Sequence, residues 1–171
     1  MSAADDDGVT VRTDRLDLVP LAVAHADEMA VVLADPALHV FIGGAPLTPP
    51  ELRARYGRLA AGSPDPGVRW RNWVVRLRAE ERLTGTVQAT VTDGGRVAEV
   101  AWVIGTEWQG RGIATEAARA LTALLVSEGA RLLVAHVHPA HTASAAVARA
   151  AGLTPTDRLE DGEVRWERRV V

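Results

Sequence analysis

Apolar residues recur along this chain with two different periods, and the switches between them mark its elements. Leu16, Leu18 and Leu21 alternate with polar neighbours over residues 13–21 until Pro20 interrupts the run, which predicts a short first strand. Met29, Val32 and Leu33 then fall at helical spacing, and Asp35-Pro36 ends that run because proline disfavours helix in the residue before it. Gly43-Gly44 predicts a loop. Pro49-Pro50, followed by Glu51, Leu52, Tyr56 and Leu59, predicts a second helix with proline in its first turn, ended near Gly62; the Pro-rich stretch 62–67 reads as a connector.

From Trp70 the period becomes two. Trp73, Val75 and Leu77 alternate with Asn72, Val74 and Arg76, residues 83–91 alternate again after a polar turn, and Asp93-Gly94-Gly95 is a hairpin-type turn into residues 97–104. Three adjacent strands in an antiparallel meander are the simplest arrangement. Beyond them Ala114, Ala117, Ala118, Leu121, Leu124 and Leu125 form one helical stripe with Gly129 as a C-terminal stop, and residues 132–137 make a short apolar strand. A strand, a crossover helix and another strand normally lie parallel in one sheet, so the sheet should become parallel here. Residues 142–151 predict a last helix closed by Gly152, before a polar hairpin ending in residues 164–171.

Composition narrows the function classes. At 171 residues, 47% hydrophobic and 24% charged, the chain suits one globular domain, with residues 1–10 expected as a flexible tail and 11–171 as the domain. No apolar run approaches a membrane span, and the acidic start, Asp5 to Asp7, does not resemble a secretory signal, so a cytoplasmic location is expected. A net charge of -3 argues against a nucleic-acid partner. There is no cysteine, and all 19 basic residues are Arg, which excludes thiol nucleophiles, disulfides and lysine Schiff bases.

The segment Trp108-Gln109-Gly110-Arg111-Gly112-Ile113-Ala114-Thr115 joins a strand to the long helix. Two glycines let backbone approach a ligand, and the first helical turn offers unpaired amides with a dipole that favours phosphate. The same glycines could simply make a tight turn. A dinucleotide fingerprint fits poorly, since its third glycine position holds Thr115 and a single parallel crossover follows.

The loop Gln109-Gly110-Arg111-Gly112-Ile113-Ala114 and its continuation Thr115-Glu116-Ala117 resemble the cofactor loop of the GNAT acetyltransferases, and Thr13-Asp14-Arg15-Leu16 resembles the opening strand of their ribosomal-protein N-terminal acetyltransferase branch (RimJ/RimL-like). The resemblance extends over nearly the whole chain. It implies an α/β GNAT fold with a mixed sheet of about six to seven strands, flanking helices, and acyl-CoA bound where the parallel strands splay. It also implies an N-acetyltransferase that moves an acetyl group from acetyl-CoA to a primary amine, needs no metal, and leaves a homodimer open. The acceptor would be a small-molecule amine or a protein N-terminus.

Carried over residue by residue, backbone amides of Gln109, Gly110, Arg111, Gly112, Ile113, Ala114 and Thr115 would hold the pyrophosphate. Trp102, Val103 and Ile104 would pair with the pantetheine, and an amide there would polarise the thioester carbonyl. Pro139-Ala140-His141-Thr142-Ala143-Ser144 matches a Pro-x-Asn-x-x-Ser pattern, with His141 departing from the Asn; His141 would touch cofactor and Ser144 would lie near the departing thiolate. A plain helix-start serine is the alternative for Ser144.

Glu99 shares a strand face with Ala101 and Val103, where partial burial would raise its pKa and suit it to take the amine's proton; a solvent-facing charge is the other reading. His136 and His138 share a face, with His141 close beyond, so a His-based metal site, a pocket-lining or proton-transfer role (His138 as a substitute base) and plain packing are the options. His39, Phe41, Trp70 and Trp73 are the candidate acceptor-binding residues. A non-catalytic acyl-CoA sensor would keep the loop but need neither Glu99 nor Ser144.

Overall fold

The computed structural model describes residues 8–171, so the first seven residues of the tail expected at 1–10 lie outside the described residues. In chain order the elements are β1 (Val11–Arg12), β2 (Leu16–Pro20), α1 (Ala26–Val32), α2 (His39–Ile42), α3 (Pro49–Ala61), β3 (Arg69–Leu77), β4 (Arg82–Thr92) and β5 (Val97–Ile104). They continue with α4 (Ile113–Ser127), β6 (Leu132–Val137), α5 (Thr142–Ala150), β7 (Thr154–Glu160) and β8 (Glu163–Arg169). The strands form one mixed sheet in the order β1-β2-β3-β4-β5-β6-β8-β7. Its eight strands exceed the six to seven expected, because β1, only two residues long, pairs with Leu18 and Asp17 of β2. Among the described residues no helix is long and apolar enough to cross a membrane.

Local chemistry explains the boundaries. Thr48 caps α3 by accepting the Glu51 amide, with proline in the first turn where a missing N–H costs nothing. The stripe on α4 buries Ile113, Ala117, Ala118, Leu121 and Leu125. It packs on the sheet face that carries Trp73, Val87 and Val100, all nearly fully buried. Arg71, on that same face, is buried and ion-paired to Glu128 at the end of α4. The opposite face carries Asn72, Thr86 and Gln88, which alternate with those apolar residues, and α1 and α3 pack over it.

Among the described residues only the β5–β6 pair is parallel, and its register stops after Val97–Leu132, Ala98–Leu133 and Glu99–Val134. Past Glu99, β5 continues to Ile104 bonded to β4 alone, and β6 continues to Val137 bonded to β8 alone. The two strands therefore splay and open a cleft through the sheet.

Candidate active site

A cavity of about 590 Å³ occupies the splay. Glu99, Trp102 and Val103 of β5 line one wall, His136, His138, His141 and Ser144 line the other, and residues of α1, α2 and α3 close the far side. The backbone edge of β5 is open towards it. Gly105 donates its N–H to Thr84 on the β4 side, whereas the Ile104 carbonyl points the other way and accepts from Gln109 Nε2 at 3.0 Å. Alternation along the strand puts the N–H and C=O of Trp102 on the Ile104 side, facing the cleft beyond the last β6 pair. The Ile104 carbonyl, one of the groups expected to meet pantetheine, is thus already engaged by Gln109.

Where β5 ends, the loop 109–112 turns into α4. Gly110 and Gly112 have φ of 76° and 78°, values that branched or β-carbon-bearing residues rarely adopt, which is why both positions need glycine. No side chain caps α4, and its first intrahelical bond is made by the Glu116 amide to Gly112, so the amides of Ile113, Ala114 and Thr115 precede it at the positive end of the helix dipole. A Cβ at Gly110 would meet nothing within 4 Å, so the loop is open on that side. The turn is open on this side, and the unpaired amides beside it are of the kind an anion can take.

The loop is fixed from behind by the opening strand. Glu116 accepts from Thr13 Oγ1 at 2.5 Å, from the Arg15 amide at 2.9 Å and from Arg15 Nε at 2.8 Å, while Arg15 Nη1 donates to the Arg111 carbonyl at 3.0 Å. Burial works to raise the Glu116 carboxyl, but these hydrogen bonds and the Arg15 charge outweigh it and hold the group below the ordinary carboxylate range. Glu80, in the turn between β3 and β4, binds Arg111 at 2.9 Å and the Trp108 indole at 3.1 Å. Sequence reading did not find these braces, although Thr13, Arg15 and Glu116 all lay inside the two motifs it singled out.

Ser144 is not a helix cap. Its Oγ accepts from the Trp102 indole N–H at 3.1 Å, and α5 has no side-chain cap bond. A hydroxyl also has one proton to donate, and Ser144 lines the cleft. His141 stacks on Phe41 with ring centroids 4.2 Å apart and planes at 9°, and burial, with His138 nearby, lowers its pKa below the ordinary imidazole value. His138 lies 5.3 Å from the same Phe41 ring. Its Nδ1 accepts the Ala140 amide at 3.0 Å.

Glu99 departs from expectation. Its side chain is 53% exposed rather than buried, and Oε1 lies 2.9 Å from His136 Nδ1, whose other nitrogen lies 2.8 Å from Glu160 Oε2. His136 is thus held by carboxylates, apart from His138 and His141, which share the Phe41 ring. Among the described residues no three His, Cys, Asp or Glu side chains are grouped to hold a metal ion.

The acceptor-side candidates separate cleanly. His39 and Phe41 line the cavity, and both His39 nitrogens face carbonyls, those of Gly43 at 3.2 Å and Leu33 at 3.4 Å, which ties down the segment bearing Phe41. Trp73 does not belong to the cavity: it is buried on the α4 face, where its indole donates to the Val9 carbonyl. Trp70 also lies outside the lining. In their place stand Leu21, Leu33, Leu52, Leu59 and Tyr56, with Asn72 and Gln88 from the sheet. The Tyr56 hydroxyl is buried with no hydrogen-bond partner among the described residues, and burial, against the nearby Arg55 charge, pushes its pKa to about 12.

The family model described as Acetyltransferase (GNAT) domain matches residues 15–154. No curated protein matches the sequence. Solved structures do: RimL, an alpha-N-protein acetyltransferase of a ribosomal protein in complex with coenzyme A, is 16% identical with a TM-score of 0.78, covering 95% of this chain and 98% of its own. The microcin self-immunity acetyltransferase MccE, in complex with acetyl-CoA and AMP, is 14% identical with a TM-score of 0.77, covering 92% and 94%. A GNAT acetyltransferase from Bacillus anthracis is 19% identical with a TM-score of 0.74, covering 93% and 95%.

Proposed function

This chain belongs to the GNAT acetyltransferase family, and from that premise we propose that it acetylates a primary amine by direct attack on the acetyl-CoA thioester, with Glu99 taking the amine's proton. It is an N-acetyltransferase, and acetyl-CoA is its acyl donor. The observation that carries the mechanism is the cavity in the β5–β6 splay, which places an open strand edge, the Ser144 hydroxyl and the Glu99 carboxylate around one space, with β5 running on into the loop before the uncapped start of α4.

In this reading the amides at the start of α4 hold the pyrophosphate, and the backbone edge at Trp102 pairs with pantetheine. The Trp102 amide polarises the thioester carbonyl, where a fixed donor counts most as negative charge develops. The amine's N–H bond breaks as its nitrogen bonds the acetyl carbon, the proton passes to Glu99, and the C–S electrons leave with sulfur. Ser144 stabilises that thiolate by a hydrogen bond from its hydroxyl, whose proton stays on oxygen, and solvent protonates the sulfur as Glu99 gives its proton up. RimL and MccE hold CoA and acetyl-CoA in the same fold, which supports this placement.

The acceptor is an amine with an apolar body. Leu21, Leu33, Leu52 and Leu59 form its wall, and the unpartnered Tyr56 hydroxyl gives that wall one hydrogen-bonding point. A thiol-release assay with acetyl-CoA and a panel of leucinamide, phenethylamine, a short peptide with a free N-terminus and an aminoglycoside tests this. Leucinamide or phenethylamine should turn over fastest; a clear preference for the aminoglycoside would contradict the apolar wall. Glu99→Gln, nearly isosteric, should keep acetyl-CoA affinity and lose about 10²-fold in kcat. Full turnover in that variant would remove Glu99 from the mechanism.

A further inference from the structure

The imidazole of His136 spends both nitrogens on carboxylates. Nδ1 faces Glu99 Oε1 at 2.9 Å and Nε2 faces Glu160 Oε2 at 2.8 Å, the latter at the last residue of β7. His136 itself is 16% exposed, against 53% for Glu99 and 41% for Glu160. Glu99 and His136 line the cavity while Glu160 lies behind them, outside its lining. Glu160 is held in turn by Arg158 at 3.3 Å and Arg165 at 3.6 Å. Three strands, β5, β6 and β7, thus contribute one side chain each to a single line of contacts that ends at the cleft.

Both nitrogens of His136 face carboxylates, so neither is turned to the acceptor. What the ring can do is restrain Glu99. A half-exposed glutamate otherwise samples several rotamers, and ordering it costs free energy at each catalytic event. With Oε1 engaged, Oε2 is left for the amine. We propose that His136, clamped by Glu160, is a positioning residue that holds the Glu99 carboxylate in its productive orientation; this rests on the reading of Glu99 as the proton acceptor.

A purely structural pin between strands would show the same contacts, so the test must couple the residues through chemistry. Acetyl-CoA turnover with the fastest amine of the panel is measured for His136→Leu, His136→Gln and Glu160→Gln, each in the wild-type and the Glu99→Gln backgrounds, with urea stability recorded for all. His136→Leu is expected to lower kcat about 10-fold with the acetyl-CoA KM unchanged, as misplacement of a reacting group does. His136→Gln, whose amide can still donate to Glu99, should recover part of that loss, and Glu160→Gln, at the outer end, should cost several-fold. In the Glu99→Gln background none of the three should cost anything further, because the group they position is gone.

Equal fractional losses in both backgrounds, or unchanged kcat with lowered stability, would make His136 a structural pin and overturn the proposal. If Glu99→Gln is crippled and His136→Leu is not, the positioning role alone falls. If Glu99→Gln is itself silent, the base assignment falls and this inference falls with it.

Discussion

His141 stacks flat on Phe41 across the mouth of the cleft, and its chemistry gives the molecule a pH-dependent contact. Burial and the neighbouring His138 disfavour its charged form, so its pKa in the fold lies below the ordinary 6.5. As pH falls the unfolded chain takes up this proton first, so the contribution is intact above about pH 6.5 and is lost as pH drops towards the folded value. His25 is shifted the same way by burial. Urea denaturation at pH 7.5 and 5.5 should therefore show lower stability at pH 5.5, with a smaller drop in His141→Asn. An identical drop in the variant would mean that His141 does not titrate against the fold. For Ser144, whose hydroxyl already accepts from Trp102, Ser144→Ala should lower kcat more than it raises the acetyl-CoA KM, and Ser144→Thr should restore part of it. A loss confined to KM would make the hydroxyl a binding group. Residue types at these positions were legible in the sequence. Their partners were not: Trp73 and Phe41 looked equivalent as aromatic candidates, and only the side each strand or helix presents sent one into the core and the other into the cleft.

At the scale of elements, the loop into α4 is shaped by two glycines but held by Glu116, which joins the first turn of that helix to Thr13 and Arg15 before β2. Glu116→Ala strands three donors and should cost on the order of 1–3 kcal/mol of stability. It should also weaken acetyl-CoA binding, although removing a negative charge near bound phosphates acts in the opposite direction by simple electrostatics. A weaker affinity by calorimetry would therefore show that the brace shapes the loop; unchanged or tighter binding in a folded variant would confine it to the fold. Gly112 carries a related lesson. Its φ of 78° and a would-be Cβ only 3.3 Å from Arg15 Nη2 mean that any substitution there disturbs this brace as well as the phosphate approach. The long stripe of α4 and the apolar run of β6, bounded by polar residues, were readable from the sequence. The two-residue β1 and the four-residue α2 were not, because neither is long enough to express a period, and α2's His-Val-Phe-Ile reads equally well as strand.

For the whole molecule, the decisive fact is that one parallel pair in an otherwise antiparallel sheet stops after three residue pairs and opens a cleft between the two helix layers. Strand, crossover helix and strand predicted the parallel pair. Where it would part could not be read from the residues, since Val100 to Ile104 and Ala135 to Val137 are as suited to pairing as those before them. Nor did local pattern show that β8 would come between β6 and β7, a consequence of the final hairpin folding back on β6. In the proposed mechanism the cleft receives acyl donor from one side and amine from the other, which predicts that both must be present before any bond is made. With no cysteine in the chain, no thiol is available to carry the acetyl group. Initial velocities measured with acetyl-CoA varied at several fixed amine concentrations test this most directly: the double-reciprocal lines should intersect, with no thiol released until amine is added. Parallel lines, with acetylated protein appearing in the absence of amine, would contradict direct transfer in a ternary complex.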